Sequence, residues 1–176
     1  MPSIHNYPTV KLGDICEIKI GVYSPTNNST NLKPTYPYIT GAFKSQVIDT
    51  FSHDEEVILF VRTGEIGNVY HWKEESGKFT PSIDLFVIKK YPNSKVEYKY
   101  LYLFLKANQP FLYNNLGKNT KVFSICRNDV VNLDINLPPL EIQKQIVDEY
   151  NQLEIKKTKI QNEIVKYIDT FKHSKL

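Results

Sequence analysis

Three kinds of hydrophobic patterning follow one another along the chain. The first ninety or so residues carry short apolar runs broken by turn residues. Residues 10–18, Val10 to Ile18, form a short apolar-periodic segment that predicts one or two helical turns, closed by Lys19-Ile20-Gly21. Residues 24–37 hold a Ser-Pro, an Asn-Asn-Ser-Thr-Asn run and two further prolines, and predict a loop. Tyr38-Ile39-Thr40 predicts a short strand ended by Gly41, and Val47-Ile48 another. After an acidic turn at residues 52–56, Val57-Ile58-Leu59-Phe60-Val61 is a continuous β-branched and aromatic run, the pattern of a strand buried on both faces. Gly64 to Gly67 then turns the chain. Residues 68–72 return as a strand, 73–78 make a charged hairpin loop, and 83–89 form a further strand.

From Glu97 the period changes to 3.6. Tyr98, Leu101, Tyr102, Leu105 and Asn108 predict a helix to residue 108. A second short helix follows over 110–116, stopped by Gly117. Residues 118–121 are a polar loop, 122–125 are extended, 127–131 are a turn or short helix, and 133–137 are a last strand. Pro138-Pro139 stops that strand, and proline suits the first helical position because its missing N–H would go unbonded there. Glu141 falls in the first turn, at the positive end of the helix dipole. About thirty residues without glycine or proline follow. Ile146, Leu153, Ile160 and Tyr167 repeat at heptad spacing on one row; Tyr150, Ile164 and Phe171 form the other, with Lys157 its one charged member. The helix is roughly 45 Å long at 1.5 Å per residue. Such a helix either folds back on its own domain or serves as a coiled-coil arm that meets a second copy or a partner protein. The fold expected is α+β: a mixed, twisted β-sheet domain over residues 1–139, then one long C-terminal coiled-coil helix over 140–176.

Composition narrows the function less than the pattern does. The chain has 176 residues, 41% of them hydrophobic, enough for one ordinary core and an appendage. Lys and Arg total 22 against 19 Asp and Glu, a net charge of +3, so charge alone does not announce nucleic-acid binding. Cys16 and Cys126 are isolated, as suits a reducing cytosol. The N-terminus lacks the charged and apolar regions of a signal peptide, and the longest apolar run is far too short to cross a bilayer. The expectation is a cytoplasmic protein.

Catalytic signatures are scarce. There is no Gly-x-Gly-x-x-Gly and no Gly-x-x-x-x-Gly-Lys-Ser/Thr to cradle phosphates. The four histidines, His5, His53, His71 and His173, show no metal-ligand spacing. One nuclease-like pattern exists: Asp84, then Glu97-Tyr98-Lys99, the carboxylates to hold Mg²⁺ and the lysine to meet a phosphate. Against it, Asp84 falls inside an apolar strand and Glu97 opens a helix, whereas such nucleases place the second acid on a strand.

DNA binding needs phosphate anchors and side chains that reach base edges. Lys44, Ser45 and Gln46 follow Gly41; Gln46 suits adenine and Lys44 a phosphate or guanine. Arg62 and Thr63 leave the buried strand, and Arg62 is one of only two arginines, with Arg127. Lys118, Asn119, Thr120 and Lys121 combine cations, an amide and a hydroxyl. Lys78, Thr80 and Ser82 are weaker candidates. Each also reads as an ordinary solvated loop. Tyr98, Tyr102 and Tyr113, at helical spacing, are expected in the core rather than as base-stacking platforms. Tyr23, Tyr36 and Tyr38 are open between structure and a DNA groove.

The stretch Leu137-Pro138-Pro139-Leu140-Glu141-Ile142-Gln143-Lys144-Gln145-Ile146-Val147 resembles the opening of the long helix of type I restriction–modification specificity subunits. Ile142 departs from it, since the family more often has a second acid there. Leu12-Gly13-Asp14-Ile15, Glu56 to Gly64 with Ile66-Gly67, Tyr98 to Leu105, and Gly117 to Lys121 resemble further family segments in the same order. The resemblance implies a non-catalytic DNA-recognition subunit with no cofactor of its own. Its implied partners are double-stranded DNA, an adenine methyltransferase (modification) subunit using S-adenosylmethionine, and a restriction or translocase subunit, with Mg and ATP on the partners. Members usually carry two recognition domains and two long helices. One of each here implies a half subunit that pairs with a second half, or as a homodimer, through Ile146, Tyr150, Leu153, Ile160, Ile164, Tyr167 and Phe171. A third reading is an interaction module that borrows the recognition fold without binding DNA.

Overall fold

The apolar run at 57–61 is the centre of the domain in the computed structural model, which describes residues 7–23, 35–42, 45–116 and 124–173. The elements in chain order are β1 (Thr9–Lys11), α1 (Leu12–Ile15), β2 (Cys16–Ile20), β3 (Tyr36–Ile39), β4 (Ser45–Ile48), β5 (Val57–Val61), β6 (Val69–Trp72), β7 (Thr80–Pro81), β8 (Leu85–Lys90), α2 (Tyr98–Ala107), α3 (Gln109–Leu116), α4 (Arg127–Val131), β9 (Asp134–Asn136) and α5 (Leu140–His173). A four-stranded antiparallel sheet runs β2-β8-β5-β6, and a three-stranded sheet runs β4-β3-β7 with β3 and β7 parallel. β1 pairs with β9, Val10 opposite Ile135.

Every residue of β5 is buried, because both faces are covered. Ile58 and Phe60 belong to a cluster with Ile18, Phe86, Ile88, Leu101, Leu105, Ile125 and Ile135, on the helical side. Val57, Leu59 and Val61 pack with Ile39, Phe79, Leu85 and Val87. The architecture is therefore α+β, as expected, with the sheet divided into three.

The differences lie where two periods compete. Only Leu12–Ile15 makes the helical turn expected over 10–18; Cys16–Ile20 is a strand on β8, with Cys16 and Ile18 inward and Ile20 exposed at its end. Apolar residues at 16, 18 and 20 satisfy period two, and the partner strand decides. Residues 73–78 are not a hairpin loop. β6 and β7 belong to different sheets, so this segment crosses between layers through a 3₁₀ turn at Glu74–Ser76. Of the loop expected over 24–37, residues 24–34 lie outside the described residues, and its end is strand β3. Pro37 sits there opposite Val47, one residue before the pairing with β7 begins, so its missing N–H interrupts no second ladder. Asp84 lies ahead of β8, not within it.

α5 starts at Leu140, as expected, directly after the proline pair: the carbonyl of Pro139 accepts from the N–H groups of Ile142 and Gln143, both at 3.0 Å. Its 34 residues span about 51 Å. Ile146 and Val147 pack against the domain core. Tyr150 is half-buried, with Lys99 Nζ 5.2 Å from its ring centre. Every residue from 155 to 172 is exposed. The helix leaves the domain and does not fold back along it.

Candidate nucleic-acid interface

The end of β5 is where several predicted binding segments converge. β5 delivers Arg62 and Thr63 to the edge of the sheet; Thr63 bridges to Ser124, and Ile125 N–H donates to the Arg62 carbonyl at 2.9 Å. Arg62 N–H in turn donates to the Asp84 carbonyl at 2.9 Å, which ties the turn ahead of β8 to the same place. Gly21 runs so close beside this turn that a Cβ there would stand 2.1 Å from the Ser82 carbonyl oxygen, and only glycine fits. On the far side of β5, Gly64 and Gly67 close the turn into β6 with φ of 87° and 82°, the left-handed conformation glycine supplies without strain.

The predicted contact residues then separate. Lys44, Lys118, Asn119, Thr120 and Lys121 lie outside the described residues, and Ser45 is described by its backbone alone, paired with Ile39. Gln46 on β4 is exposed, opposite Tyr38. Lys78 is exposed, its Nζ 4.2 Å from the centre of the Phe51 ring, which itself tilts against Tyr36 at 5.0 Å. Lys78, Phe51 and Tyr36 thus make a cation–aromatic group beside β4, chemistry that suits a nucleic acid. Phe51 was not among the predicted contacts. It lies three residues beyond the end of β4, and no local pattern marks it.

Arg62 is turned into the protein. Its Nη1 donates to the Ile83 carbonyl at 3.0 Å and its guanidinium lies 5.5 Å from the Phe86 ring centre. Its role in this arrangement is to brace the 82–84 turn. Ser82 is 1% exposed and Thr80 3% exposed. Ser82 Oγ donates to Asp84 Oδ2 at 3.3 Å and accepts from Asp84 N–H at 3.2 Å; Thr80 Oγ1 donates to the Thr50 carbonyl at 3.4 Å. Their hydroxyls close turns inside the domain, and the expectation that they offer themselves to DNA is not met by these positions. The buried Tyr38 hydroxyl donates to the Val22 carbonyl at 3.0 Å, and burial, then the Asp84 carboxylate, raises its pKa. Tyr38 is a core residue.

The nuclease-like group does not assemble. Asp84 precedes β8. Glu97 lies beyond its other end, where Lys90 N–H donates to Tyr98 Oη at 3.2 Å. Six strand residues put about 20 Å between them. No group of three or more His, Cys, Asp or Glu among the described residues is placed to hold a metal ion.

The joint between domain and helix is built around a residue that is not among the predicted contacts. Gln143 is 0% exposed. Its Oε1 accepts from the Glu97 N–H, and its Nε2 donates to the carbonyls of Lys95 and Pro138, all at 2.8 Å. Tyr100 Oη donates to the Asn136 carbonyl at 2.6 Å and braces the segment leading into the prolines. A glutamine on the otherwise apolar face of a helix start was the available signal. Of the predicted seam, Ile146 and Tyr150 go to the chain's own domain, while Leu153, Ile160, Ile164, Tyr167 and Phe171 stay exposed, Leu153 at 51% and Tyr167 at 73%. No helix among the described residues is long and apolar enough to cross a membrane.

Comparison with known proteins agrees with this layout. The type I restriction modification DNA specificity domain family matches residues 5–170. The type I restriction enzyme MpnII specificity subunit of Mycoplasma pneumoniae is 30% identical over 146 residues, covering 81% of this chain and 42% of that protein. The chain spans about half the length of the curated relatives it matches, from 37% to 58%. The S subunit of a type I restriction–modification system from M. genitalium shares the fold, with a TM-score of 0.68 at 19% identity over 89% of this chain and 40% of that one. The HsdS subunit of Thermoanaerobacter tengcongensis does so with a TM-score of 0.66 at 20% identity, over 89% and 39%. With a recognition-type α+β domain, a projecting helix and a family match across nearly its whole length, this chain belongs to the type I restriction–modification DNA specificity family.

Proposed function

We propose that the chain is a non-catalytic DNA-recognition unit of a type I-like restriction–modification system, a half subunit that pairs through α5 to read a bipartite site. The observation that carries this reading is the helix itself. It leaves a domain of the specificity family with an apolar stripe exposed along its outer half. An isolated stripe of that kind favours a second helix, because burying it removes apolar surface from water. The second helix is that of another copy or of a second specificity half. Two recognition domains at the ends of such a pair read two half-sites, and identical halves related by a two-fold axis read an interrupted palindrome. The pair works in the cytoplasm. It directs an adenine methyltransferase subunit, which brings S-adenosylmethionine, and a restriction or translocase subunit, which brings Mg²⁺ and ATP. The chain supplies no cofactor chemistry of its own.

Light scattering on the purified chain and methylation mapping in a host carrying it with its cognate methyltransferase test the two halves of this reading. A dimer at micromolar concentration and methylated adenines in a two-part site are expected. A monomer, or methylation independent of the chain, overturns it.

A further inference from the structure

We infer that Gln143 is the positioning residue that fixes the angle between the recognition domain and α5, and so sets which spacing between half-sites the assembly accepts. This rests on the reading proposed above. α5 meets its domain in two ways. Ile146, Val147 and the half-buried Tyr150 pack against it. Contact of that kind is non-directional and tolerates rotation or sliding of the helix. Gln143 is different. Its amide accepts one hydrogen bond and donates two, at 2.8 Å each, to three backbone groups on two separate segments: Glu97 N–H and the Lys95 carbonyl ahead of α2, and the Pro138 carbonyl ahead of α5. Hydrogen bonds weaken steeply away from their preferred angles, so three from one planar amide define an orientation. With no exposure to solvent, water is not at hand to replace them.

The length of the lever gives this a consequence. A domain of this size has a radius of gyration of about 14 Å, and its far surface stands roughly 30 Å from the joint. A 10° rotation at Gln143 then moves that surface by about 5 Å, more than the 3.4 Å or so between successive base pairs. The joint must hold to a few degrees if a pair of domains is to prefer one spacer length over the next.

Two measurements on the full chain test this. In the first, spin labels at Lys73→Cys on the domain and Lys166→Cys on the helix, in a Cys126→Ser background diluted with unlabelled chain, report the distribution of domain–helix distances. Gln143→Ala and the nearly isosteric Gln143→Met are expected to widen it at least twofold. A width unchanged in both variants overturns the inference, as does loss of the folded domain in both, since Gln143 would then serve folding and not aim. In the second, randomised duplexes bound by the chain are selected and sequenced. The wild type is expected to return a two-part site with one spacer, and the variants the same half-sites with spacers spread over two or more lengths. A single unchanged spacer in the variants overturns the inference alone. A wild type that selects no two-part site overturns the functional reading beneath it, and with it the link to spacing, while the distance measurement still judges the joint.

Discussion

Gln143 Oε1 accepts a hydrogen bond from the backbone N–H of Glu97 at 2.8 Å, forty-six positions earlier in the chain. Through it the start of α2 and the start of α5 share one polar group inside an apolar joint. Replacing Gln143 by alanine leaves the Glu97 N–H and the carbonyls of Lys95 and Pro138 without this partner, and a buried unsatisfied group costs about 1–3 kcal/mol. Gln143→Ala is expected to lose about 3 kcal/mol in urea denaturation. Gln143→Glu keeps the acceptor but sets a carboxylate against two carbonyls, so its deficit relative to the wild type should shrink on acidification, when the acid regains a donor. A deficit that does not change with pH would contradict the hydrogen-bond assignment.

Leu59 sits at the middle of β5 with no exposure, on the face shared with Ile39, Phe79 and Leu85. Leu59→Ala opens a cavity in a layer that cannot collapse from either side, and an expected loss of about 3 kcal/mol follows from the removed methyl groups and the void. Thermal and urea melts report it. Val165→Ala, on the exposed part of α5, should by contrast leave the domain's melting point within error.

β5 was legible in the sequence because five apolar residues in a row admit few other readings, and the long helix because thirty residues without glycine or proline keep one period. Cys16–Ile20 was not, since its residues fit a helix and a strand alike until Lys90 to Phe86 are seen opposite them. The crossing from β6 to β7 was hidden for a related reason: Lys73 to Lys78 has the composition of a hairpin, and only the pairing of Thr80 with Tyr38 reveals a change of sheet. At the site, Thr80 and Ser82 read as free hydroxyls because composition carries no burial. Arg62 read as an outward cation because its strand ends there, whereas the Ile83 carbonyl holds it inward.

Lys78 differs from Thr80 two residues away in being exposed, over the Phe51 ring. If the β4 side of the domain meets DNA, Lys78→Ala removes one phosphate neutralisation, and the slope of log affinity against log salt should fall by about 0.9. Thr80→Val, inside the domain, should leave that slope unchanged and shift only stability. Fluorescence anisotropy with a labelled duplex at several salt concentrations separates the two. Equal slopes for wild type and Lys78→Ala would move the interface away from this face.

His71 lies with its ring centre 6.1 Å from that of Tyr98 and 6.0 Å from that of Tyr102, and its Nε2 is 2.6 Å from Glu56 Oε1. Burial lowers its pKa below the ordinary 6.5, and the Glu56 carboxylate only partly opposes this. At neutral pH the ring is therefore uncharged and its Nε2–H donates to Glu56, despite the ion-pair geometry. The folded state resists protonation, so the stabilisation is complete above pH 6.5 and is lost as pH falls through the lower folded-state value. His53, also lowered by burial, acts in the same direction. Melting temperature should drop between pH 7 and pH 5, and His71→Gln, which keeps a donor but does not titrate, should flatten part of that drop. An identical pH profile for the variant would assign the loss elsewhere.

If α5 pairs with a second copy as proposed, the spacing of its exposed apolar residues favours one register. Leu153, Ile160 and Tyr167 alternate with Lys157, Ile164 and Phe171 along it. An antiparallel pair centred near residue 162 sets Leu153 opposite Phe171 of the second copy, Ile160 opposite Ile164, and Lys157 against Tyr167, where the ammonium can sit over the ring. A slip of one heptad in one direction brings Phe171 to Ile146, which is already packed on its own domain. The centred register leaves the two Gln143 joints about 57 Å apart, close to 17 base pairs of B-form duplex. In a Cys126→Ser background, the double variants Ile160→Cys with Ile164→Cys and Leu153→Cys with Phe171→Cys should form disulfide-linked dimers, and Leu153→Cys with Ile164→Cys should not. Ile160→Asp should give a monomer by light scattering with the domain's melting unchanged. Cross-linking only in the last pair would shift the register by a heptad, and a wild-type monomer at micromolar concentration would remove the pairing altogether.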